Sequence, residues 1–395
     1  MIPYGPAGNK AKSFEQRIDT QRKMDDKQNC LLCSRYQDCH DDSILLFAQT
    51  PILRRIVKSH LAEMQVSFQA EGDLFRVESG YVQALKGLRQ RLSEPERQDL
   101  RVSRERGPRI MGAGSLEEYA RRLDTEWFDT SLQNDAFTIY FQPIVDAAAQ
   151  SVFAHECLIR LIADRMYSGG EILDTAMSRG SVHLFDSYAR QLSVRKSGQQ
   201  FIPGTKVFIN FMPSSIYDPV FCMASTLQAM AETPLKPSDV VFEVVESEKT
   251  HDVRHLRRIC EYYRNEGFGF ALDDVGSGSN SLQMVCDLKP DYVKLDKSII
   301  SRVSEPMYRT VVEKLAEFAG EYGLHVIAEG VETAATLEVL QSSGIRLMQG
   351  YYFAKPAPEM TSPDTFRAAS AETGPGKRRE NSESRGTSDA RAVSA

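Results

Sequence analysis

The chain reads as an α/β protein: a TIM-like (β/α)8 barrel preceded by a small, mostly helical N-terminal region. Three observations predict this. From Ser115 onward, short apolar runs alternate with segments whose apolar residues recur at helical spacing, and strands separated by helices imply parallel crossovers. Eight such runs occur, the number that closes a β/α barrel. Most of them end in, or are interrupted by, a charged or amide side chain, as expected where strand ends converge on one mouth.

The strand candidates are Phe137–Val145, Val152–Leu161, Val207–Met212, Val240–Val245, Gly269–Leu272, Tyr292–Leu295, His325–Ala328 and Leu347–Phe353. Ser115 with Glu118 forms a capping box, and Leu116, Tyr119, Leu123 and Trp127 stripe a helix leading into the barrel. Val253, Leu256, Ile259, Cys260 and Tyr263 give one crossover helix its apolar face; Val311, Val312, Leu315, Phe318, Ala319 and Tyr322 give another. Upstream, Leu53, Ile56, Val57, His60, Leu61 and Met64 recur at helical spacing, as do Val82, Leu85, Leu88 and Leu92. The expected organisation is a flexible start at 1–28, helices over 29–105, a charged and Gly-rich linker at 106–114, the barrel at 115–368 and a polar, disordered tail at 369–395.

With 42% hydrophobic and 26% charged residues the composition is that of a soluble globular protein, and a net charge of -6 argues against a groove for double-stranded nucleic acid. The first residues lack a basic segment followed by an apolar one, and no apolar stretch is long enough to span a bilayer, so a cytoplasmic setting is expected. Of the seven cysteines, Cys157, Cys222, Cys260 and Cys286 stand singly and read as small core residues in a reducing compartment. Cys30, Cys33, Cys39 and His40 match the ligand set of a structural zinc site, with His60 as an alternative fourth ligand; a redox-sensing thiol cluster is the competing reading.

The chemistry centres on Gly267–Gly278, where an apolar run ends in Asp273 and Asp274 before a glycine-rich turn. Adjacent carboxylates at the end of a buried strand repel each other unless a cation compensates, and a divalent metal is the natural one; a solvated turn is the plain alternative. Other strand ends carry Glu156, Asn210, Glu243, Glu246, Lys294, Asp296, Glu329, Glu332 and Gln349. Gathered at one mouth, this set exceeds what core stability asks for.

These residues resemble the EAL domain of bacterial cyclic di-GMP phosphodiesterases from about Ser115 to Pro358. Gln142-Pro143-Ile144 is similar to the family's opening motif, Glu156-Cys157-Leu158-Ile159-Arg160 to its Glu-Ala-Leu-Leu-Arg, and Glu243-Val-Val-Glu246-Ser247 to Glu-x-Thr-Glu-Ser. Asn210, Asp273-Asp274-Val275-Gly276-Ser277-Gly278, Lys294-Leu295-Asp296, Glu329-Gly330-Val331-Glu332 and Gln349-Gly350-Tyr351 complete the resemblance. It implies that Glu156, Asn210, Glu243, Asp273 and Asp274 hold two Mg²⁺ or Mn²⁺, with Glu329 assisting through water. Two such ions about 4 Å apart stabilise both the attacking and the leaving oxygen of an in-line displacement. It further implies catalytic roles for Lys294, Glu329 and Glu246, ligand contacts from Gln142, Arg160, Asp296, Glu332 and Gln349, a homodimer, and hydrolysis of cyclic di-GMP to linear 5'-pGpG.

Several positions depart from the family pattern. Cys157 replaces Ala, Val245 replaces Thr, Val275 replaces Phe, Ser279-Asn280 replaces Tyr-Ser, Leu161 replaces Trp and Met177 replaces Glu. None is a metal ligand. They keep open the alternative of a weak or inactive EAL domain acting as a cyclic di-GMP receptor or a protein-interaction module.

Overall fold

Two units make up the chain in the computed structural model, which describes residues 43–106, 109–244, 253–276 and 282–362. One comprises residues up to Thr138 with Ile159–Ala189, the other Ile139–Leu158 with Arg190 onward.

The first unit contains strands β1 (Ile44–Phe47), β2 (Phe68–Glu71), β3 (Leu74–Val77), β4 (Arg101–Arg106) and β5 (Arg109–Ser115), an antiparallel sheet in the order β2-β3-β1-β4-β5. Helices Pro51–Glu63 and Tyr81–Arg91 lie between the strands in sequence, giving the β-α-β-β-α-β order of a ferredoxin-like unit extended by one strand. Both helices fall where their stripes predict them. Leu53, Val57, Leu61, Leu85 and Leu88 are buried in one core with Ile44, Leu46, Phe75 and Val77.

The expectation of a mostly helical region over 29–105 is therefore corrected for its described part. Strands of four residues are too short for their alternation to compete with the helical stripes beside them. A signal was nevertheless present in Gly72-Asp73, a two-residue connection between Phe68–Glu71 and Leu74–Val77, with Gly72 at φ 63 as a tight hairpin turn requires.

The linker expected at 106–114 is also corrected, because β5 occupies most of it as the edge strand beside β4. The capping box at the next helix is present: the Glu118 N–H donates to Ser115 Oγ at 3.1 Å and the Ser115 N–H to Glu118 Oε2 at 2.8 Å. That helix, Leu116–Asp124, places Leu116, Tyr119 and Leu123 in the N-terminal core, and its Glu117 accepts from Arg89 at 2.7 Å. The barrel thus begins later than residue 115, since the helix's apolar face already has a partner upstream.

His60 is buried: its ring sets Nε2 3.0 Å from the Ala84 carbonyl oxygen, and a Cβ on Gly87 would sit 2.6 Å from its Cε1. It packs between two helices. Cys30, Cys33, Cys39 and His40 lie outside the described residues.

The barrel ring consists of β6 (Phe137–Asp146), β7 (Ser151–Ile162), β9 (Lys206–Phe211), β10 (Val240–Val244), β11 (Gly269–Val275), β12 (Tyr292–Leu295), β13 (His325–Ala328) and β14 (Leu347–Met348), closed by pairing of β6 with β7. The far end of β7 lies in the first unit, where Leu161 and Ile162 pair with β8 (Met166–Tyr167). Neighbours from β7 to β14 run parallel, whereas β6 runs antiparallel to β14. The reversal follows from the short turn at 147–150, which is far too short for a crossover helix. Strand β14 ends at Met348 instead of continuing to Phe353, because the chain turns sharply at Gly350.

Each ring strand sends one side chain into a common interior layer: Ile144, Ala154, Phe208, Val241, Ala271, Tyr292, Ile327 and Leu347. This is a packed plug, as in other barrels of this kind. Above it, the backbone at Gly350 passes so close to Val331 that a Cβ would lie 2.1 Å from the Val331 carbonyl oxygen and 2.3 Å from its nitrogen. Gly350→Ala should therefore destabilise the barrel by about 2–3 kcal/mol or more, because the obstacle is backbone and not a flexible side chain. Denaturant unfolding measures it, and an unchanged midpoint would contradict the packing.

Candidate active site

A strand turns successive side chains to opposite faces, so the residue two places beyond an interior-layer residue faces inward again. Two places beyond Ala154, Phe208, Val241, Ala271, Tyr292, Ile327 and Leu347 stand Glu156, Asn210, Glu243, Asp273, Lys294, Glu329 and Gln349. On the reversed strand β6, Gln142 precedes Ile144 by the same step. All eight strands thus contribute one polar residue to the layer above the apolar plug. In the hydrogen-bond ladder Asn210 stands beside Glu243.

Asp274 should point away by this rule, and the backbone explains why it does not. Between Leu272 and Val275 the pairing of β11 with β12 shifts by one residue, a bulge, and Asp274 sits at φ 53 in the left-handed region. A bulge re-aims a side chain, and a non-glycine residue held in this region marks strain stored at a working position. As a result Asp273, Asp274 and Glu329 each present a carboxylate oxygen within 4.8 Å of the others.

Lys294 occupies the centre, 1% exposed. Its Nζ lies 2.6 Å from Glu329 Oε1, 3.1 Å from Glu243 Oε1, 3.2 Å from Asp273 Oδ1 and 3.3 Å from Glu156 Oε2. Burial opposes its charge, yet Asp273, Glu156, Glu243 and Glu329 together raise its pKa well above the ordinary lysine range. Glu156 is held below the usual carboxylate range: burial works against ionisation, but Lys294 and hydrogen bonds from Gln349 and Asn210 outweigh it. Those bonds run from Gln349 Nε2 to Glu156 Oε2 at 2.7 Å and from Asn210 Nδ2 to Oε1 at 3.2 Å.

The other carboxylates are pushed the opposite way. Glu243 is fully buried, and beyond the ion pair with Lys294 its oxygens have no hydrogen-bond partner among the described residues; burial raises it well above its ordinary value, Lys294 pulling against the neighbouring carboxylates. Burial lifts Glu329 to about 8, and it lifts Asp274 to about 6 with repulsion from Asp273 and Asp296. A buried carboxylate without hydrogen bonds, beside others forced together, is a site short of positive charge. All-oxygen donors of this kind suit Mg²⁺, Mn²⁺ or Ca²⁺ and not zinc.

The remaining sequence candidates meet other partners. Asp296 caps the helix Lys297–Ile300, accepting the Ser298 N–H at 2.9 Å. Glu332 pairs with Lys297 at 2.5 Å on the surface, and Gln142 Nε2 donates to the Ala354 carbonyl at 3.4 Å. Arg160 belongs to the first unit, where its Nη1 donates to the Ile159 carbonyl at 2.8 Å. Glu246 lies outside the described residues. Cys157 behaves as expected, buried on the face opposite Glu156, 3.3 Å from Ser197 Oγ, with burial pushing its thiol to about 12.

Gln349, for which the resemblance implies a ligand contact, bonds Glu156, a contact with no signal in the sequence. Removing that donor as Gln349→Ala frees one carboxylate oxygen to reorient, and divalent-cation affinity should fall about 10–100-fold. Calorimetric titration with Mn²⁺ checks this; unchanged affinity would make the glutamine a bystander.

Residues 125–356 match the protein-family model described as EAL domain. The probable cyclic di-GMP phosphodiesterase PdeG of Escherichia coli is 29% identical over 254 residues, covering 61% of this chain and 49% of that protein. The crystal structure of a standalone versatile EAL protein from Vibrio cholerae O395, in its c-di-GMP-bound form, is similar at 32% identity and a TM-score of 0.54, covering 58% of this chain and 97% of that one. The manganese/cy-diGMP complex of BlrP1 from Klebsiella pneumoniae shares the fold at 22% identity and a TM-score of 0.51, covering 80% of this chain and 96% of that one. The chain spans about half the length of the curated relatives it matches, 49% and 45% of the first two. With eight strands closing around a polar layer that carries the motif residues, and the family match covering more than half of its length, the chain belongs to the EAL domain family.

Proposed function

We propose that the barrel hydrolyses cyclic di-GMP to linear 5'-pGpG with the help of two Mg²⁺ or Mn²⁺. The observation that carries the reading is the ring of Glu156, Asn210, Glu243, Asp273 and Glu329 around Lys294, with Asp274 beside it. Glu156, Glu243, Asp273, Asp274 and Glu329 carry five negative charges when ionised, against one positive charge on Lys294; the deficit of four is what two divalent cations supply. The cyclic di-GMP bound by the Vibrio cholerae relative and the manganese in the BlrP1 complex support the choice of ligand and metal class.

Glu156, Asn210, Glu243, Asp273 and Asp274 would hold the cations, which when bound activate a water and screen the phosphate's charge. Asn210 and Gln349 fix the Glu156 carboxylate through its two oxygens. Arg160 would grip a ligand phosphate, its planar fork matching two oxygens. Glu329, beside Asp273 and Asp274, would take a proton from the attacking water, with Glu246 as a second acidic group of the motif. Water oxygen joins phosphorus as the bond to the ribose 3' oxygen breaks, and Lys294 stabilises the charge that builds on the phosphoryl oxygens. Asp296, Glu332 and Gln142 remain candidates for contacts to the ligand.

The resemblance also supports a homodimer in the bacterial cytoplasm; no described helix is long and apolar enough to cross a membrane. For Cys30, Cys33, Cys39 and His40 we propose one structural zinc per chain, since three thiolates and an imidazole are its customary donors.

Purified protein should convert cyclic di-GMP to 5'-pGpG with Mg²⁺ or Mn²⁺ and stop when EDTA is added. Glu156→Gln should lower turnover by roughly two to four orders of magnitude while ligand binding, followed by calorimetry in Ca²⁺, weakens far less. Tight binding with no product under either metal would replace the enzyme by a receptor. Elemental analysis of protein prepared without chelator should find close to one zinc, lost in a Cys30→Ser, Cys33→Ser double variant. No zinc in the unmodified chain would dismiss that site.

A further inference from the structure

Lys294 touches four carboxylates at once, and the oxygens it touches are ones a divalent cation would need. Its Nζ stands 2.6 Å to 3.3 Å from Glu329 Oε1, Glu243 Oε1, Asp273 Oδ1 and Glu156 Oε2, and the group is sealed from solvent at 1% exposure. Its strand neighbour on the inward face is Tyr292 of the apolar plug. Four carboxylates brought this close repel one another, and Lys294 pairs with all four. Asn210 and Gln349 donate to Glu156 alone.

From this geometry we propose that Lys294 is the resident counter-cation of the metal-free site: it holds the carboxylate ring together and competes with the incoming divalent cation for the same oxygens. A cation at about 2.0–2.6 Å from those oxygens needs lone pairs now aimed at an ammonium. Loading the site therefore obliges Lys294 to give up part of its contacts. This assigns the lysine a role before any substrate is present, distinct from stabilising charge during phosphoryl transfer. Its consequence is restrained metal affinity, with a site already shaped when the metal arrives.

The inference rests on the metal reading of the site, and the test separates the two. Mn²⁺ binding to the full-length protein is measured by electron paramagnetic resonance of the free ion, without substrate, for the unmodified chain, Lys294→Met, Lys294→Gln and Lys294→Arg. Removing the charge should tighten Mn²⁺ binding by about tenfold or more, as expected for deleting a nearby like charge in a low-dielectric site. Lys294→Arg, which keeps the charge, should stay near the unmodified affinity. Metal-free Lys294→Met should also melt at a lower temperature than the unmodified chain, with Mn²⁺ restoring most of the loss. A merely structural lysine would lower stability in every form and weaken Mn²⁺ binding. If Lys294→Met fails to accumulate in folded form, Lys294→Gln, which retains a hydrogen-bond donor, decides the matter. Unchanged or weaker Mn²⁺ binding in the neutral variants overturns the competition while leaving the metal site intact. Absence of Mn²⁺ binding in the unmodified chain as well overturns both.

Discussion

A single ammonium inside a ring of carboxylates is the constraint around which the barrel is arranged. Lys294 meets Glu156, Glu243, Asp273 and Glu329 within hydrogen-bonding range, at a depth where an isolated charge of either sign would be prohibitively unfavourable. Such a cluster is not the cheapest way to build a core: hydrophobic replacements of similar volume are often neutral or stabilising, whereas deleting one partner of a buried pair costs about 3–5 kcal/mol. Lys294 and two amide donors hold Glu156 down, while burial, with the neighbouring carboxylates, lifts Glu243 and Glu329. One lysine cannot neutralise them all. A site left in that condition by a fold otherwise rich in satisfied contacts is organised for something that brings cations with it.

The strand geometry that gathers these groups also explains why so much of the site was legible in the sequence. Every ring strand has an inward apolar residue and, one inward step away, a polar one: Ala154 then Glu156, Val241 then Glu243, Ile327 then Glu329. Listing polar residues at strand ends finds most members without any coordinates, because the period of two is a property of the backbone. The period alone does not give how the remaining groups reach the mouth or what they bond to there. Asp274 reaches the mouth through a bulge and a left-handed backbone, neither of which is written in an Asp-Asp pair. The bond from Gln349 to Glu156 depends on the abrupt turn at Gly350, where close contact with Val331 leaves no room for a side chain. Asp296 and Glu332 met other local demands, a helix cap and a surface ion pair.

The N-terminal unit shows the opposite case, in which a strong local pattern hid a weaker one. The stripes of Leu53, Val57 and Leu61 and of Leu85 and Leu88 do mark helices, but those helices need an apolar surface to cover, and the sheet supplies it through Ile44, Leu46, Phe75 and Val77. A helical stripe states that a partner exists and not whether the partner is helix or sheet. The same blindness put the boundary too early. Leu116, Tyr119 and Leu123 lie on the helix that leads toward the barrel, while their packing lies with the strands and helices behind them.

The departures from the family pattern bear on the choice between enzyme and receptor, and their positions sort them. Cys157 fills the outer face of β7, buried against Ser197, where a small group of low polarity is all the packing requires. Val275 follows the bulge, is buried and pairs with Leu295, so the ladder resumes there without an aromatic ring. The next residue, Gly276, has φ 104 and lies so close to Ile299 that a Cβ would sit 2.1 Å from its Cδ1. The bulge that delivers Asp273 and Asp274 is thus clamped between Leu272 on one side and Val275 with Gly276 on the other, all main-chain or apolar constraints that survive the substitution. Exchanging Phe for Val at this point acts downstream of the carboxylates. With valine there, Asp273, Asp274 and Glu329 still bring carboxylate oxygens within 4.8 Å of one another, which is why the donor set argues for chemistry at this mouth more strongly than the altered loop argues against it.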